Sequence, residues 1–224
     1  MKVLSYSVYL IKNYPELEGL LTEAKRFFEG VDSPAHDWSH IERVGKLTIQ
    51  ILENEEVKHR RALHISVLLH DIKRKDEVLT GLDHAKEGAK LAGKLLAKHG
   101  FDEKTIEIVV DSIRSHRYSL RKTPKYPEGK ILQDADRLDA IGAIAIARVF
   151  AHKGEKRVFY DPKIKPSKNY NGKSSTYLNH FFEKILKIDP DSFWTETARK
   201  LAERRHEFTL EYVKKFLREW YGLE

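Results

Sequence analysis

Residues 68–75 read LLHDIKRK, which sets a histidine directly beside an aspartate at the end of an aliphatic run. Taking such a pair out of water costs free energy that hydrogen bonds or a bound cation must offset. His40, His70, Asp71 and Asp136 follow one another along the chain, each near the start or end of a segment with helical periodicity. Helical bundles build metal sites this way, from side chains on separate helices that meet at one point. Two imidazoles and two carboxylates suit Mn²⁺, Fe²⁺, Co²⁺, Ni²⁺ or Zn²⁺, and Mg²⁺ less well. The chain has no cysteine, so disulfides and thiolate ligands are excluded and any metal must be held by His, Asp and Glu. That describes a hard, hydrolytic type of cation site. The competing reading is a structural network in which the same groups satisfy one another.

Helices must position these residues. Apolar residues recur at three- and four-residue steps through nearly the whole sequence, and strand-like alternation is absent from these segments. Leu17, Leu20, Leu21, Ala24, Phe27 and Phe28 make one stripe, and Ile41, Val44, Leu47, Ile51 and Leu52 the next. Ser39 and Glu42 have the spacing of a reciprocal helix cap, which puts His40 in a first helical turn. Residues 59–70 are apolar on nearly every side and predict a central helix ending near His70. Two amphipathic helices follow, one through Ala85, Ala89, Ala92, Leu95 and Leu96, the other through Ile106, Val109, Val110 and Ile113 to about His116.

The prolines and glycine of RYSLRKTPKYPEGK mark residues 117–130 as a loop, after which ILQDADRLDAIGAIAIARVF starts another apolar helix. Residues 151–175 are too irregular for a helix and form a long surface excursion, with a lid as its expected role and VFY at 158–160 as a short strand. Leu178, Phe181, Phe182, Ile185 and Leu186 open the last section, and a helix from about Phe193 to Trp220 closes it. The expected architecture is all-α, a single-domain helical bundle over 1–224, with its core motif region at about 36–150 and C-terminal helices at about 176–220.

At 224 residues the chain suffices for one sizeable core. No apolar run reaches the roughly eighteen residues of a membrane span, and the first residues lack a secretory cleavage pattern, so a soluble, cytoplasmic protein with no membrane partner is expected. The formal charge of +7, spread along the chain, serves nucleic acid, a phosphorylated small molecule or solubility equally well. Runs of Lys and Arg are most often solvated faces, which makes nucleic acid the less expected partner.

Set in HDWSHIERV, LLHDI and QDADRLDAIGAIAIARVF, the pattern His40, His70-Asp71, Asp136 resembles the HD-domain metal-dependent phosphohydrolase superfamily. It is most similar to the stand-alone prokaryotic HD hydrolases, over about residues 36–150, with a further echo in SSTYLNHFFEKIL at 174–186. The resemblance implies an all-α HD-type fold and hydrolysis of phosphate esters or anhydrides at a divalent metal held by His40, His70, Asp71 and Asp136. Cleavage of a nucleoside triphosphate to monophosphate and pyrophosphate is one reaction it suggests. A phosphodiesterase acting on RNA or a cyclic dinucleotide, and a non-catalytic HD module that binds nucleotide or nucleic acid, are the alternatives. Phosphate hydrolysis is also what the ligand set suits, because a divalent cation lowers the pKa of water and polarises a phosphoryl oxygen with no covalent nucleophile.

His84 and His116 occupy places where some HD enzymes carry extra histidines. One metal is expected, with both residues facing substrate as acid or hydrogen-bond donor, and a second metal at His84 and His116 is the alternative. Asp71 is expected to serve catalysis as well as the metal. Lys73, Arg74, Arg117, Arg121 and Lys122 follow the HD pair and His116 closely enough to share one rim and clamp anionic oxygens, Lys73 foremost. Tyr118, Tyr170 and Tyr177 are candidates to stack on a base. Blander roles are expected elsewhere: Asp134 as a helix-start cap, Asp139 as support for its neighbours, His36 as a solvated loop residue, and Trp38, Trp194 and Trp220 in core or helix packing.

Overall fold

The computed structural model describes residues 4–31, 36–117, 122–151 and 158–223, and apart from one isolated bridge their regular structure is helical, as the periodicity requires. The chain divides into two compact units, residues 1–136 and 137–224. The first holds α1 (Tyr6–Asn13), α2 (Glu18–Arg26), α3 (Trp38–Leu52), α4 (Arg60–Leu69), α5 (Arg74–Thr80), α6 (His84–Lys98), α7 (Glu103–Ser115) and most of α8 (Pro127–Asp139). The second holds the end of α8, α9 (Ala143–Ala151), α10 (Tyr177–Glu183) and α11 (Glu196–Trp220).

In the first unit α4 is the centre. Every residue from Ala62 to Leu69 is buried, and the helix packs on α2, α3 and α7, with α6 laid against α7. A helix apolar all round has no face to give to water, so neighbours surround it. It stops at Leu69, with His70 as its C-terminal cap. Gly45 of α3 meets the ring of Tyr6 on α1 so closely that any β-carbon there would overlap it.

Two expectations about helix starts are corrected. The cap of α3 is Asp37, whose Oδ1 accepts from Ser39 N at 2.9 Å, so Ser39 lies inside the first turn. Glu42 instead accepts from Tyr6 N at 2.6 Å, Ser7 N at 3.1 Å and the Ser7 hydroxyl, so it holds down the start of α1. A carboxylate at a helix N-terminus answers unpaired amides and the positive end of the dipole, and α1 offers both. Further on, α8 begins at Pro127, a residue suited to a first helical position, and the loop of 117–130 ends sooner than expected. Asp134 is therefore buried in mid-helix and does not start one.

The apolar run 131–150 is two helices rather than one. Gly142, at φ 83° between α8 and α9, takes a left-handed turn that favours glycine, and its N–H donates to Thr209 Oγ1 at 2.9 Å. The last helix starts at Glu196, capped by Thr195. Of the excursion expected at 151–175, Ala151 still belongs to α9, residues 158–175 are irregular as expected, and VFY contributes a single bridge from Val158 to Thr176 in place of a strand. This stretch is fastened along α10: Tyr177 N donates to Val158 O at 3.2 Å, Asn179 Nδ2 to Ile164 O at 3.1 Å, and Ser167 N to Glu183 Oε1 at 2.6 Å. Residues 152–157, the other part of the expected lid, lie outside the described residues. Trp194 and Trp220 keep 40% and 46% of their surface exposed, although Trp220 stacks along Phe216. Among the described residues no helix is long and apolar enough to cross a membrane.

One core histidine sets an acid limit on the fold. His64 of α4 is fully buried, bonded through Nδ1 to Tyr6 OH at 2.9 Å, while Nε2 finds no partner. Burial first, and the charge of Arg60 second, push its pKa down to about 4. The folded value lies below the unfolded one, so the stabilising form is the neutral ring, fully present above about pH 6.5 and lost as pH falls toward the folded value. Urea unfolding followed between those limits should show wild type losing up to about 3 kcal/mol more than His64→Gln. Parallel pH curves for the two proteins would refute this.

Candidate metal centre

Helix ends bring the site together. His40 lies in the first turn of α3, His70 caps α4 with Asp71 next to it, His84 opens α6, His116 caps α7, and Asp136 lies in the last turn of α8. All six belong to the unit of residues 1–136. His40 Nε2 is 3.1 Å from His70 Nε2, 3.4 Å from Asp136 Oδ1 and 3.7 Å from Asp71 Oδ2. The other oxygen of Asp71 serves the other two histidines: Oδ1 is 3.3 Å from His84 Nε2 and 3.6 Å from His116 Nε2, and those nitrogens are 3.3 Å apart. Ligand atoms of His40, His70 and Asp136, and of Asp71, His84 and His116, form two groups, each within 4.8 Å. Asp71 thus stands between two clusters.

The ring tautomers are set from behind. His70 Nδ1 is 2.9 Å from Val67 O and His116 Nδ1 is 2.7 Å from Ile113 O. A carbonyl only accepts, so each Nδ1 carries a hydrogen and the neutral ring turns a bare Nε2 toward the cluster. Lone pairs and carboxylates that face one another at such distances repel unless something positive lies between them. This donor set fits a divalent cation.

Protonation follows the same logic. Burial opposes the charge of Asp71, but the field of His70 and the close approach of His116, His36 and His84 hold its pKa well below the usual range. Asp136 is also lowered: burial works against its charge and the hydrogen bond from His40 outweighs it. Burial drives His70 down to about 4, with Asp71 pulling the other way. For His116 burial again pushes down, yet the hydrogen bond and charge of Asp71 win and the pKa rises. A proton on His116 therefore adds positive charge beside Asp71 Oδ1, where any second cation would have to compete with it.

The expected phosphate clamps are less free than their positions suggested. Lys73 Nζ lies 2.5 Å from Asp76 Oδ2, Arg74 Nη1 is bonded to Glu77, and Arg117 Nη1 reaches Glu77 Oε1 at 2.9 Å and Asp83 Oδ2 at 3.0 Å. Lys122 is exposed, and Arg121 and Tyr118 lie outside the described residues. Tyr170 and Tyr177 belong to the unit of residues 137–224, where Tyr170 OH is 3.3 Å from His180 Nδ1 and Tyr177 packs against Phe150. Asp139, in that unit too, is buried and pairs with Arg148 at 2.7 Å. Two residues of the site were missed from the sequence. His36, expected as a solvated loop residue, has Nδ1 3.4 Å from Asp71 Oδ2 and groups with His40 and Asp71. Glu77 Oε2 lies 2.8 Å from His84 Nδ1. The HD-like spacing hinted at neither, because a loop histidine and one acidic residue on a charged helix look ordinary.

Comparison with known proteins identifies the family. The family model of the HD domain matches residues 37–141. YpgQ of Bacillus subtilis (strain 168) is 35% identical over 196 residues, which cover 86% of this chain and 88% of YpgQ. Among solved structures, a predicted HD superfamily hydrolase from an uncultured Thermotogales bacterium is 41% identical with a TM-score of 0.69, covering 95% of this chain and 98% of that one. Bacillus subtilis YpgQ in complex with ADP aligns at 29% identity and a TM-score of 0.66, covering 92% and 95% of the two chains.

Proposed function

The chain belongs to the HD superfamily of hydrolases, and from that membership we propose that it is a divalent-metal-dependent phosphohydrolase acting on a nucleotide or another small phosphorylated molecule. One observation carries the proposal: imidazoles and carboxylates from the ends of separate helices meet around His40, His70, Asp71 and Asp136 with lone pairs facing inward. These four residues hold the cation in this reading. When bound, it supplies positive charge against phosphoryl oxygens and lowers the pKa of a nearby water.

The side chains do the rest. Asp71 and Asp136, kept ionised by their histidine neighbours, accept hydrogen bonds from the attacking water and orient it. His116, drawn toward its protonated form by Asp71, donates to the phosphate or the leaving oxygen. Lys73, Arg74, Arg117 and Lys122 provide the basic rim for anionic oxygens, Lys73 by exchanging Asp76 and Arg117 by exchanging Asp83 for a phosphate. ADP on the relative YpgQ supports a nucleotide, and cleavage of a nucleoside triphosphate to monophosphate and pyrophosphate is the specific reaction proposed. A second cation held by Asp71 Oδ1, His84 and His116 is the other reading, favoured by the clustering of those three ligand atoms.

Purified protein assayed with Mn²⁺, Co²⁺ or Ni²⁺ against a panel of nucleotides tests the activity, and equal inactivity of wild type and Asp71→Ala on every phosphate compound rejects it. The number of ions bound per chain at saturation decides between one cation and two. We read residues 1–224 as one domain, and a single cooperative unfolding transition is the expected result.

A further inference from the structure

Three donors converge on a carboxylate that is no part of the ligand set. Glu77 of α5 takes Arg74 Nη1 and His84 Nδ1 on Oε2, the latter at 2.8 Å, and Arg117 Nη1 on Oε1 at 2.9 Å. The far edge of the same imidazole, Nε2 of His84, is 3.3 Å from both Asp71 Oδ1 and His116 Nε2. A neutral imidazole has a single N–H, so whichever partner receives it decides what the opposite edge can do.

We infer that Glu77 is a positioning residue: it holds the His84 proton on Nδ1 and so presents Nε2 of His84 as a bare lone pair to Asp71 and His116. The catalytic meaning of this rests on the phosphohydrolase reading, which it sharpens, because His84 then acts as ligand or proton acceptor and not as the acid. Distances decide the competition. Asp71 also attracts a His84 proton, but across 3.3 Å against 2.8 Å for Glu77. Arg74 Nη1, 3.1 Å from Nδ1, favours the opposite tautomer, yet it already makes a shorter contact to Glu77. With two guanidiniums gripping it, the Glu77 carboxylate is fixed in place, and carboxylates behind metal-site histidines orient them in this manner.

Ring-nitrogen ¹⁵N spectra of the metal-free protein at about pH 8, above the ordinary histidine range, separate a protonated from a bare nitrogen. Wild type is expected to show His84 with its proton on Nδ1, its signals assigned by their disappearance in His84→Gln. In Glu77→Ala that pair of shifts is lost and the Nε2–H pair replaces it, while His116, anchored to Ile113 O, keeps its own. A wild-type His84 carrying its proton on Nε2 overturns the inference, as does a Glu77→Ala spectrum with His84 unchanged. Should Glu77→Ala not fold, the wild-type spectrum alone decides. No metal or substrate enters this measurement, so loss of the phosphohydrolase reading and loss of the Glu77 assignment are separate outcomes. With Mn²⁺ and ATP as the probe, Glu77→Ala lowers kcat about 10–100-fold and lowers it no further in a His84→Ala background. An equal fall in that background refutes the coupling.

Discussion

Asp71→Ala abolishes metal-dependent phosphate hydrolysis, with an expected fall in kcat of at least about a thousandfold, or roughly 4 kcal/mol of transition-state stabilisation. The size follows from its place. One carboxylate serves two clusters, Oδ2 toward His36 and His40 and Oδ1 toward His84 and His116. Removing it strips negative charge from both sides at once. Between the imidazoles only Asp136, beside His40, then remains as a counter-charge, so cation affinity falls together with turnover. Asp71→Asn separates the contributions, since it keeps the shape and loses the charge. Steady-state rates and metal content per chain, measured on both variants, are the check. A variant that retains more than a tenth of wild-type kcat with a full metal complement would show that Asp71 is not where the chemistry is centred.

Loading the centre with a divalent cation should stabilise the fold by about 2.7 kcal/mol at a hundredfold excess over the dissociation constant. For a chain of this size that raises the thermal midpoint by roughly 5–10 °C, and chelation reverses it. The source is the set of inward-facing lone pairs, which the protein assembles at a cost and a cation relieves. Direction with pH follows from His116. Its folded pKa is raised, so the protonated ring stabilises the metal-free form below the unfolded value of about 6.5 and that gain is lost as pH rises through the folded value. A cation beside Asp71 adds positive charge that disfavours that proton without having to displace it, so its own stabilisation runs the other way, largest above the histidine range and shrinking in acid. Melting curves with and without Mn²⁺ at several pH values read this out. A midpoint indifferent to Mn²⁺ at high pH would count against a cation site, and His70→Ala should show that indifference.

Much of the site was legible because its residues lie at helix ends, where polarity breaks an apolar rhythm. His70 and Asp71 follow the eight buried residues of α4, and His116 follows the stripe of α7. What escaped depended on partners far away in sequence. The spacing of Ser39 and Glu42 matched a local cap, but Glu42 is drawn to the start of α1, 35 and 36 residues earlier. Asp37 offered the same capping chemistry two residues nearer the N-terminus, and local pattern does not rank the two. Glu77 and His36 join the site through a neighbouring helix and a loop, contacts that periodicity does not encode. The break at Gly142 escaped because Ile141, Ala143 and Ile144 continue the apolar pattern on either side of it.

Because His70, His84 and His116 sit at the tips of α4, α6 and α7, their location is a matter of counting. One residue deleted from α4 draws His70 back by about 1.5 Å and swings it through about 100°. The shafts of these helices should accept many exchanges of one apolar residue for another, while tolerating almost no change in length. A family descended from such an ancestor would drift freely in spelling and accumulate its gaps and insertions between helices, never within them.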